Sequence, residues 1–266
     1  MKQAMKTPKN SMQERVERYY EGYDEERRLF RDKAHLPEYL TTIRYFDRLL
    51  PPNSRILDAC AGTGRYAFYL AADKGHIVTA CDLTEHNVRA IAANPRASTL
   101  SGIAACDVLD LSRFADNSFD AVLCMGAMYH LATDEEKKRA IRECKRVCVS
   151  GGIIVLSYLN YFAVVAAELQ SGLGNLGALL SAFEDGGDGF WKATTPAKME
   201  RYVKEEGLTI LHNIGTDGLS FVLADKVNAA TDEAFEKWMD YIIKHCEEPS
   251  VIGCSMHGLL IGRKQV

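Results

Sequence analysis

Acidic side chains follow three apolar runs in the first half of the sequence. Asp58, Asp82 and Asp107 each close or follow a run that predicts a buried strand. Between the first two runs lies a turn at residues 62–64 (GTG), whose glycines permit positive φ and let a ligand approach the backbone closely. Ligands of open α/β sheets bind beyond the carboxyl ends of the strands, so we expect the three carboxylates and this turn to share one crevice.

The glycine turn fits two classes of ligand, and the carboxylates favour one of them. Residues 62–67 match G-x-G-x-x-G/A, the dinucleotide fingerprint, but such hexapeptides often occur by chance. Asp58 precedes the turn, where it would repel a pyrophosphate, and Asp82 lies eighteen residues after Gly64, where it suits a ribose diol. Three carboxylates favour a ligand with an ammonium group, a diol and an exocyclic amine, and without phosphate. S-adenosylmethionine (SAM) carries these groups and a sulfonium cation.

The elements that must position these residues alternate along the chain. Strands are predicted at 55–59, 76–81, 103–106, 119–125 and 153–158, and helices at 63–74, 84–93 and 133–147. Helices between successive strands predict parallel pairing with right-handed crossovers. The predicted fold class is therefore α/β, with a doubly wound, mostly parallel sheet.

The sequence predicts four parts, of which the alternating strands and helices form the second. The four predicted parts are an N-terminal helical cap (1–36), a SAM-binding core (37–160), a helical insert (161–207) and a C-terminal completion of the sheet (208–266). Within the cap, a helix is predicted over 15–30. The insert contains an acidic, glycine-rich loop at 184–189, and a helix is predicted to start at Thr195 and Pro196. The last part predicts strands at 208–214 and 251–261 and a helix at 235–246.

Composition narrows the class of protein and its partners. The chain has 266 residues, of which 47% are hydrophobic and 26% charged, with a net charge of −4, as in ordinary globular proteins. The acidity argues against a nucleic-acid or membrane partner bound mainly by charge, and no apolar run reaches the ~18 residues of a membrane span. The eight cysteines include no C-x-x-C pair, and the histidines lack ligand spacing, so no metal is predicted. We expect a cytoplasmic monomer or homodimer that acts on a small molecule.

The order of the motifs resembles that of the class I SAM-dependent methyltransferases. Residues 58–64 are similar to the family's motif I, commonly D-x-G-x-G-x-G, and are followed in the family's order by Asp82, the pair 107–108, the strand opening 119–122 and the glycines 151–152. The resemblance covers 37–160 well and 208–263 by architecture, and is strongest to small-molecule enzymes of the ubiquinone/menaquinone type. It implies a seven-stranded Rossmann-like sheet and methyl transfer from SAM, which leaves S-adenosylhomocysteine.

The resemblance also implies a set of cofactor-binding residues. These are Asp58, Ala59, Cys60, Gly62, Gly64, Asp82, Leu83, Asp107, Val108 and Met125. Asp58 would orient the methionine ammonium, Asp82 would accept the ribose hydroxyls and Asp107 would accept the adenine amine. Cys60 stands where the family usually has its first glycine, so the backbone φ must stay negative there.

Other candidate residues come from outside these motifs. His130 is the candidate general base, because its ordinary pKa lies near neutral pH, with Tyr129 beside it as a second candidate. The alternative for His130 is an anchor for the loop that holds it. Tyr19 or Tyr23 would cover the cofactor as a lid that is partly exposed to solvent, or else pack a helix against the sheet. The arginines Arg27, Arg28 and Arg31 are interpreted as a solvated face.

Two other classes of protein fit the same turn. An NAD(P)-dependent oxidoreductase would use the glycine turn for a pyrophosphate and would have no need of Asp107. A non-catalytic SAM-binding module would share the cofactor site without an acceptor pocket. Single carboxylates also have simpler roles, since Asp82 could stabilise the turn before the helix near Thr84 and Asp58 could pair with Arg65.

Overall fold

The structure, a computed structural model, describes residues 12–183 and 190–266. The predicted acidic loop at 184–189 and the first eleven residues of the predicted cap lie outside the described residues. Seven strands form one sheet: β1 (Arg55–Asp58), β2 (Ile77–Asp82), β3 (Gly102–Ala105), β4 (Phe119–Cys124), β5 (Cys148–Leu159), β6 (Leu208–Gly215) and β7 (His257–Lys264).

Eleven α-helices occur in the described part of the chain. They are α1 (Met12–Gly22), α2 (Leu36–Leu49), α3 (Arg65–Phe68), α4 (Glu85–Ala93), α5 (Asp134–Val147), α6 (Tyr161–Glu168), α7 (Leu176–Phe183), α8 (Pro196–Glu205), α9 (Ala224–Asn228), α10 (Asp232–His245) and α11 (Pro249–Cys254). No helix among these residues is long and apolar enough to span a membrane.

The strand order is β3-β2-β1-β4-β5-β7-β6. Strands β1 to β5 pair in parallel, whereas β7 runs antiparallel to both β5 and β6. The predicted seven-stranded, doubly wound and mostly parallel sheet is therefore confirmed. The order reverses between β1 and β4, so the carboxyl ends of β1, β2 and β4 border the crevice that such a reversal creates.

The sheet is buried on both faces, which explains why its strands are continuous apolar runs. Leu57 and Val122 belong to the core on one face, together with the fully buried Ile141 of α5. Ile56 and Leu123 belong to the core on the other face, together with residues of α2 and α3. Because successive side chains of β1 and β4 point to opposite faces of the sheet, helices pack on both faces and hold the strand ends in fixed positions.

Several predicted helix starts are confirmed by their side-chain caps. Thr133 and Glu136 form both hydrogen bonds of a capping box at the start of α5. Thr195 accepts a hydrogen bond from the Lys198 N–H at the start of α8, with proline in the first turn. These caps are local, so their residue types and spacing suffice to predict them.

Two predicted elements are wrong in part. The helix predicted over 15–30 ends at Gly22, and a 3₁₀ turn follows at Arg28–Phe30, because the Asp24 carboxylate accepts the Arg27 backbone N–H and stabilises a turn instead. The strand predicted over 251–261 begins only at His257. Its first residues form α11, since a proline in the first turn favours a helix there.

The helix predicted after the glycine turn is also less regular than expected. It begins at Arg65 and changes at Tyr69–Asp73 into a π-helical segment, so its backbone is wider than that of an α-helix. Gly75 follows with φ of +74°, in the helix-ending role predicted for it.

Candidate active site

A cavity of about 320 Å³ lies at the carboxyl ends of the parallel strands. Its walls come from the loops after β1, β2, β3 and β4, from the start of α4 and from the N-terminal segment 16–29. The wall residues that matched the predicted cofactor set are Ala59, Cys60, Gly62, Asp82, Leu83, Asp107, Val108 and Met125. The crevice expected from the motifs is therefore one continuous cavity, which the N-terminal segment helps to form.

The glycine turn has the backbone that its residue types predict. Gly62 has φ of +55° and Gly64 has φ of +89°. A Cβ at Gly64 would lie 2.8 Å from the Phe68 ring, so a larger residue would be excluded even without the φ requirement. The φ at Cys60 is not positive, which is how cysteine is tolerated where the resembling family has glycine.

Asp82 joins the glycine turn to α4 and also forms part of the cavity wall. Its Oδ2 accepts the Gly62 N–H at 2.8 Å. Its Oδ1 accepts the Thr84 N–H at 2.9 Å, the Thr84 hydroxyl at 3.0 Å and the Asn87 amide at 3.1 Å. Burial raises the pKa of this carboxyl, which is 7% exposed. The simpler role as a turn-stabilising residue and the cavity role therefore coexist.

The other two predicted carboxylates occupy different positions. Asp58 is only 2% exposed and lies behind the cavity wall that Ala59 and Cys60 provide. Its burial, reinforced by the nearby charge of Asp82, raises its pKa to about 7. Asp107 is in the wall, and its Oδ1 accepts the Leu109 N–H at 2.8 Å.

His130 lies in the wall of the same cavity, in the loop after β4. It is 8% exposed, and burial lowers its pKa to about 4, so the ring is neutral at pH 7. Its Nε2 is 3.2 Å from the Tyr20 hydroxyl, while its Nδ1 has no hydrogen-bond partner in the described part of the chain. Tyr129 is also in the wall, and burial raises the pKa of its hydroxyl.

The N-terminal helix supplies a tyrosine that the sequence analysis did not select. Tyr20 lines the cavity, whereas Tyr19 and Tyr23 lie outside its wall and stack on each other with ring centroids 5.0 Å apart. Tyr19 also packs against Trp191, whose ring lies 5.0 Å from the His130 ring. A cluster of aromatic rings thus connects the cap, the insert and the loop after β4.

Buried ion pairs tie the N-terminal segment to the core. Arg28 donates to both oxygens of Glu38, at 2.7 and 3.0 Å, and to Glu25 at 3.0 Å. Burial alone would raise the pKa of Glu38, but the charges of Arg28 and His257 and the hydrogen bonds from Arg28 together outweigh it and lower that pKa to about 2. Glu38 is also 3.5 Å from the ring of His257. The interpretation of Arg28 as a solvated residue is therefore wrong, and no signal apart from the i,i+3 spacing from Glu25 pointed to its burial.

Comparison with known proteins shows a family match in the central part of the chain. Residues 57–156 match the family described as a methyltransferase domain. A probable tRNA methyltransferase 9B from Homo sapiens is 33% identical over 114 residues, which are 43% of this chain and 23% of that protein. A glycine/sarcosine N-methyltransferase from Aphanothece halophytica is 28% identical over 118 residues, 44% of each chain. The chain therefore spans less than half of the length of both relatives.

The solved structures agree on the fold. The crystal structure of PH0226 protein from Pyrococcus horikoshii OT3 covers 93% of this chain and 99% of its own, with a TM-score of 0.59 and 14% sequence identity. The sheet and the glycine turn have the Rossmann-like fold of class I SAM-dependent methyltransferases, and residues 57–156 match the methyltransferase-domain model. SAM is the cofactor of this class, and the acceptor oxygens of Asp82 and Asp107 in the cavity wall fit its hydroxyl and amine donors.

Proposed function

We propose that this chain transfers a methyl group from SAM to a small-molecule acceptor. The observation that carries the proposal is that the cofactor-type wall around Asp82 and the neutral His130 border the same cavity of about 320 Å³. When bound, SAM supplies a methyl group on a sulfonium, which needs no further activation. The protein's task is then to position the acceptor and to exclude water.

The cofactor-binding side of the proposal follows the predicted roles. Asp82 and Asp107 would accept hydrogen bonds from the ribose and the adenine amine, and both border the cavity. Gly62 and Gly64 would let the ligand lie against the backbone of the turn. Asp58 lies behind the wall, so its orienting effect on an ammonium group would act through a water molecule or through the charge of the loop.

His130 is the residue we propose for the acceptor side. A histidine with a pKa of about 4 is neutral at pH 7 and can accept a hydrogen bond or a proton from an acceptor hydroxyl or amine. Its contact with Tyr20 fixes the ring, and the aromatic rings around it exclude water. The alternative role as a loop anchor would leave methyl transfer unchanged when His130 is replaced.

The charges of the cavity wall favour a small acceptor over a nucleic acid. The charged residues of the wall are Glu25, Asp82, Asp107 and Glu136 against Arg28 and Arg65. Arg28 is neutralised by two carboxylates, and nucleic-acid binding requires lysine or arginine side chains that neutralise phosphates. The relatives named as tRNA methyltransferases make tRNA the competing acceptor, and the glycine/sarcosine enzyme adds a small amine.

A methyl-transfer screen tests the proposal. The purified chain is incubated with SAM carrying a radiolabelled methyl group and, separately, with a metabolite extract, glycine and sarcosine, a reduced quinone and bulk tRNA. We expect label in a small-molecule fraction, with the quinol as the acceptor favoured by the resemblance to quinone-methylating enzymes. Label in tRNA alone would overturn the small-molecule acceptor, and SAM binding without any transfer would favour a non-catalytic SAM-binding module.

A further inference from the structure

Asn87 belongs to the cavity wall and has a buried carbonyl oxygen without a hydrogen-bond partner in the described part of the chain. The residue lies in the first turn of α4, is 2% exposed and belongs to the cavity wall. Its side-chain amide donates to Asp82 Oδ1 at 3.1 Å, but its Oδ1 accepts no hydrogen bond within residues 12–183 and 190–266. A buried acceptor left without a donor costs about 1–3 kcal/mol, so this oxygen is a site at which a ligand donor would be favourable.

The neighbouring carboxylate fixes the orientation of the Asn87 amide. The reverse orientation would place the carbonyl oxygen of Asn87 against Asp82 Oδ1 and would lose the hydrogen bond between them. The Asn87 backbone N–H is held as well, since it donates to the Thr84 hydroxyl at 3.2 Å. The orientation of the amide is therefore fixed by its contacts with Asp82 and Thr84.

The carboxylate of Asp82 already accepts four hydrogen bonds from the protein. Its Oδ1 already accepts three hydrogen bonds, from Thr84 twice and from Asn87. Its Oδ2 accepts one, from Gly62, and has one remaining lone pair. A ribose diol brings two hydroxyl donors, so a second acceptor beside Asp82 Oδ2 would be favourable.

We propose that Asn87 Oδ1 accepts one ribose hydroxyl of SAM while Asp82 Oδ2 accepts the other, which makes Asn87 a specificity-determining residue for an unmodified diol. The inference deepens the proposed function and rests on SAM as the cofactor. A ribose that carries a phosphate in place of a hydroxyl has no donor for Asn87 at that position and adds a negative charge beside Asp82.

Calorimetry with cofactor analogues tests this pairing. The ligands are S-adenosylhomocysteine and its 2′-deoxy and 3′-deoxy forms, and the proteins are the unchanged chain and Asn87→Leu, which removes the carbonyl at similar volume. We expect Asn87→Leu to weaken binding of S-adenosylhomocysteine about fivefold to thirtyfold, the effect of one hydrogen bond. For the deoxy form that lacks the partner hydroxyl, the same substitution should change the Kd less than twofold.

Matched controls separate this role from a structural one. His86→Leu alters the exposed neighbour of Asn87 on α4, outside the cavity wall, and should leave every Kd unchanged. If Asn87→Leu weakens the binding of all three ligands equally, the proposal is overturned. It is also overturned if the effect of Asn87→Leu disappears only with an analogue whose adenine amine is replaced by oxygen. If Asn87→Leu does not fold, the unchanged chain must still lose affinity for both deoxy forms, and equal affinity for all three contradicts the pairing. Failure of the unchanged chain to bind S-adenosylhomocysteine would instead refute the cofactor assignment.

Discussion

Asp82 shows how one carboxylate serves both structure and binding. It accepts four hydrogen bonds that join the glycine turn to α4, and it still faces the cavity. We expect Asp82→Ala to weaken SAM binding by about 1–3 kcal/mol, the scale of a lost hydrogen bond to a charged group. Calorimetry measures the change, and Asp110→Ala, a nearby carboxylate outside the cavity wall, should bind SAM as the unchanged chain does. Unchanged affinity in Asp82→Ala would contradict the ribose assignment.

His130 should affect the reaction and the pH dependence of stability separately. We expect His130→Gln to lower kcat about 10²-fold or more, as expected for loss of a general base, with little change in the Kd for SAM. Single-turnover kinetics and calorimetry measure the two quantities. A variant that retains full kcat would show that His130 only anchors its loop.

The low pKa of His130 also predicts an acid-dependent loss of stability. In the unfolded chain the ring takes up a proton below about pH 6.5, whereas in the folded chain it stays neutral down to about pH 4. The free energy of unfolding should therefore fall between pH 6.5 and pH 4, by about 3 kcal/mol from this group. Urea denaturation at several pH values measures the fall, and His130→Gln should show a correspondingly smaller one. The same slope in both proteins would contradict a buried, neutral His130.

The residues of the site divide by how local their signals are. Gly62, Asp82 and Val108 follow strands in a fixed order, so their types and spacing predict their place in the cavity wall. Tyr20 reaches His130 across 110 residues of sequence, and nothing near it in the chain marks which tyrosine of the helix faces the cavity. That choice depends on how α1 packs, which is decided by tertiary contacts.

Among the elements, the N-terminal segment depends most on buried charge. Replacing Arg28 would leave Glu25 and Glu38 buried without their cation. We expect Arg28→Met to lower the free energy of unfolding by about 3–5 kcal/mol, as when one partner of a buried ion pair is removed. Denaturant titration checks the change. Arg27→Met is the matched control, because Arg27 is highly exposed and its one ion pair among residues 12–183 and 190–266 is with Asp24. An equal loss in both variants would contradict the importance of the buried pairs.

Element boundaries could be predicted where local side chains set them. The capping box at Thr133 and the proline start of α8 are local signals, and both were predicted. The end of α1 at Gly22 and the helix α11 before β7 were not, because helical and turn conformations compete closely in these short segments. The Asp24 carboxylate and the proline at 249 decide these competitions, and their weight against the apolar spacing of the same segments is not evident from one sequence.

At the scale of the whole molecule, the sheet was predictable but its last strands were less so. Alternating strands and helices predict the parallel part, from β1 to β5. The insertion of β7 between β5 and β6 follows from no local pattern, and the expectation of seven strands came from the family resemblance. Likewise, the fold alone does not select the acceptor, since one fold supports many functions.

Ligand-dependent stability of the whole chain discriminates between the cofactor classes. SAM at one hundred times its Kd should raise the free energy of unfolding by about 2.7 kcal/mol, because it binds only the folded chain. NADH should have no effect, since Asp58 and Asp82 disfavour a pyrophosphate at the glycine turn. Thermal unfolding with each compound measures both effects. Stabilisation by NADH and not by SAM would favour the oxidoreductase.

The N-terminal segment 16–29 supplies part of the cavity wall, so its position bears on how a bound nucleoside leaves the cavity. Residues 16–29 form one side of the cavity and are joined by Arg28 to Glu38 of α2, so we expect exchange of S-adenosylhomocysteine for SAM to involve an outward movement of this segment. The rate of turnover would then be limited by the movement of this segment rather than by the methyl-transfer step. A rapid burst of product in the first turnover, followed by a slower steady rate, would be the kinetic signature of that gate.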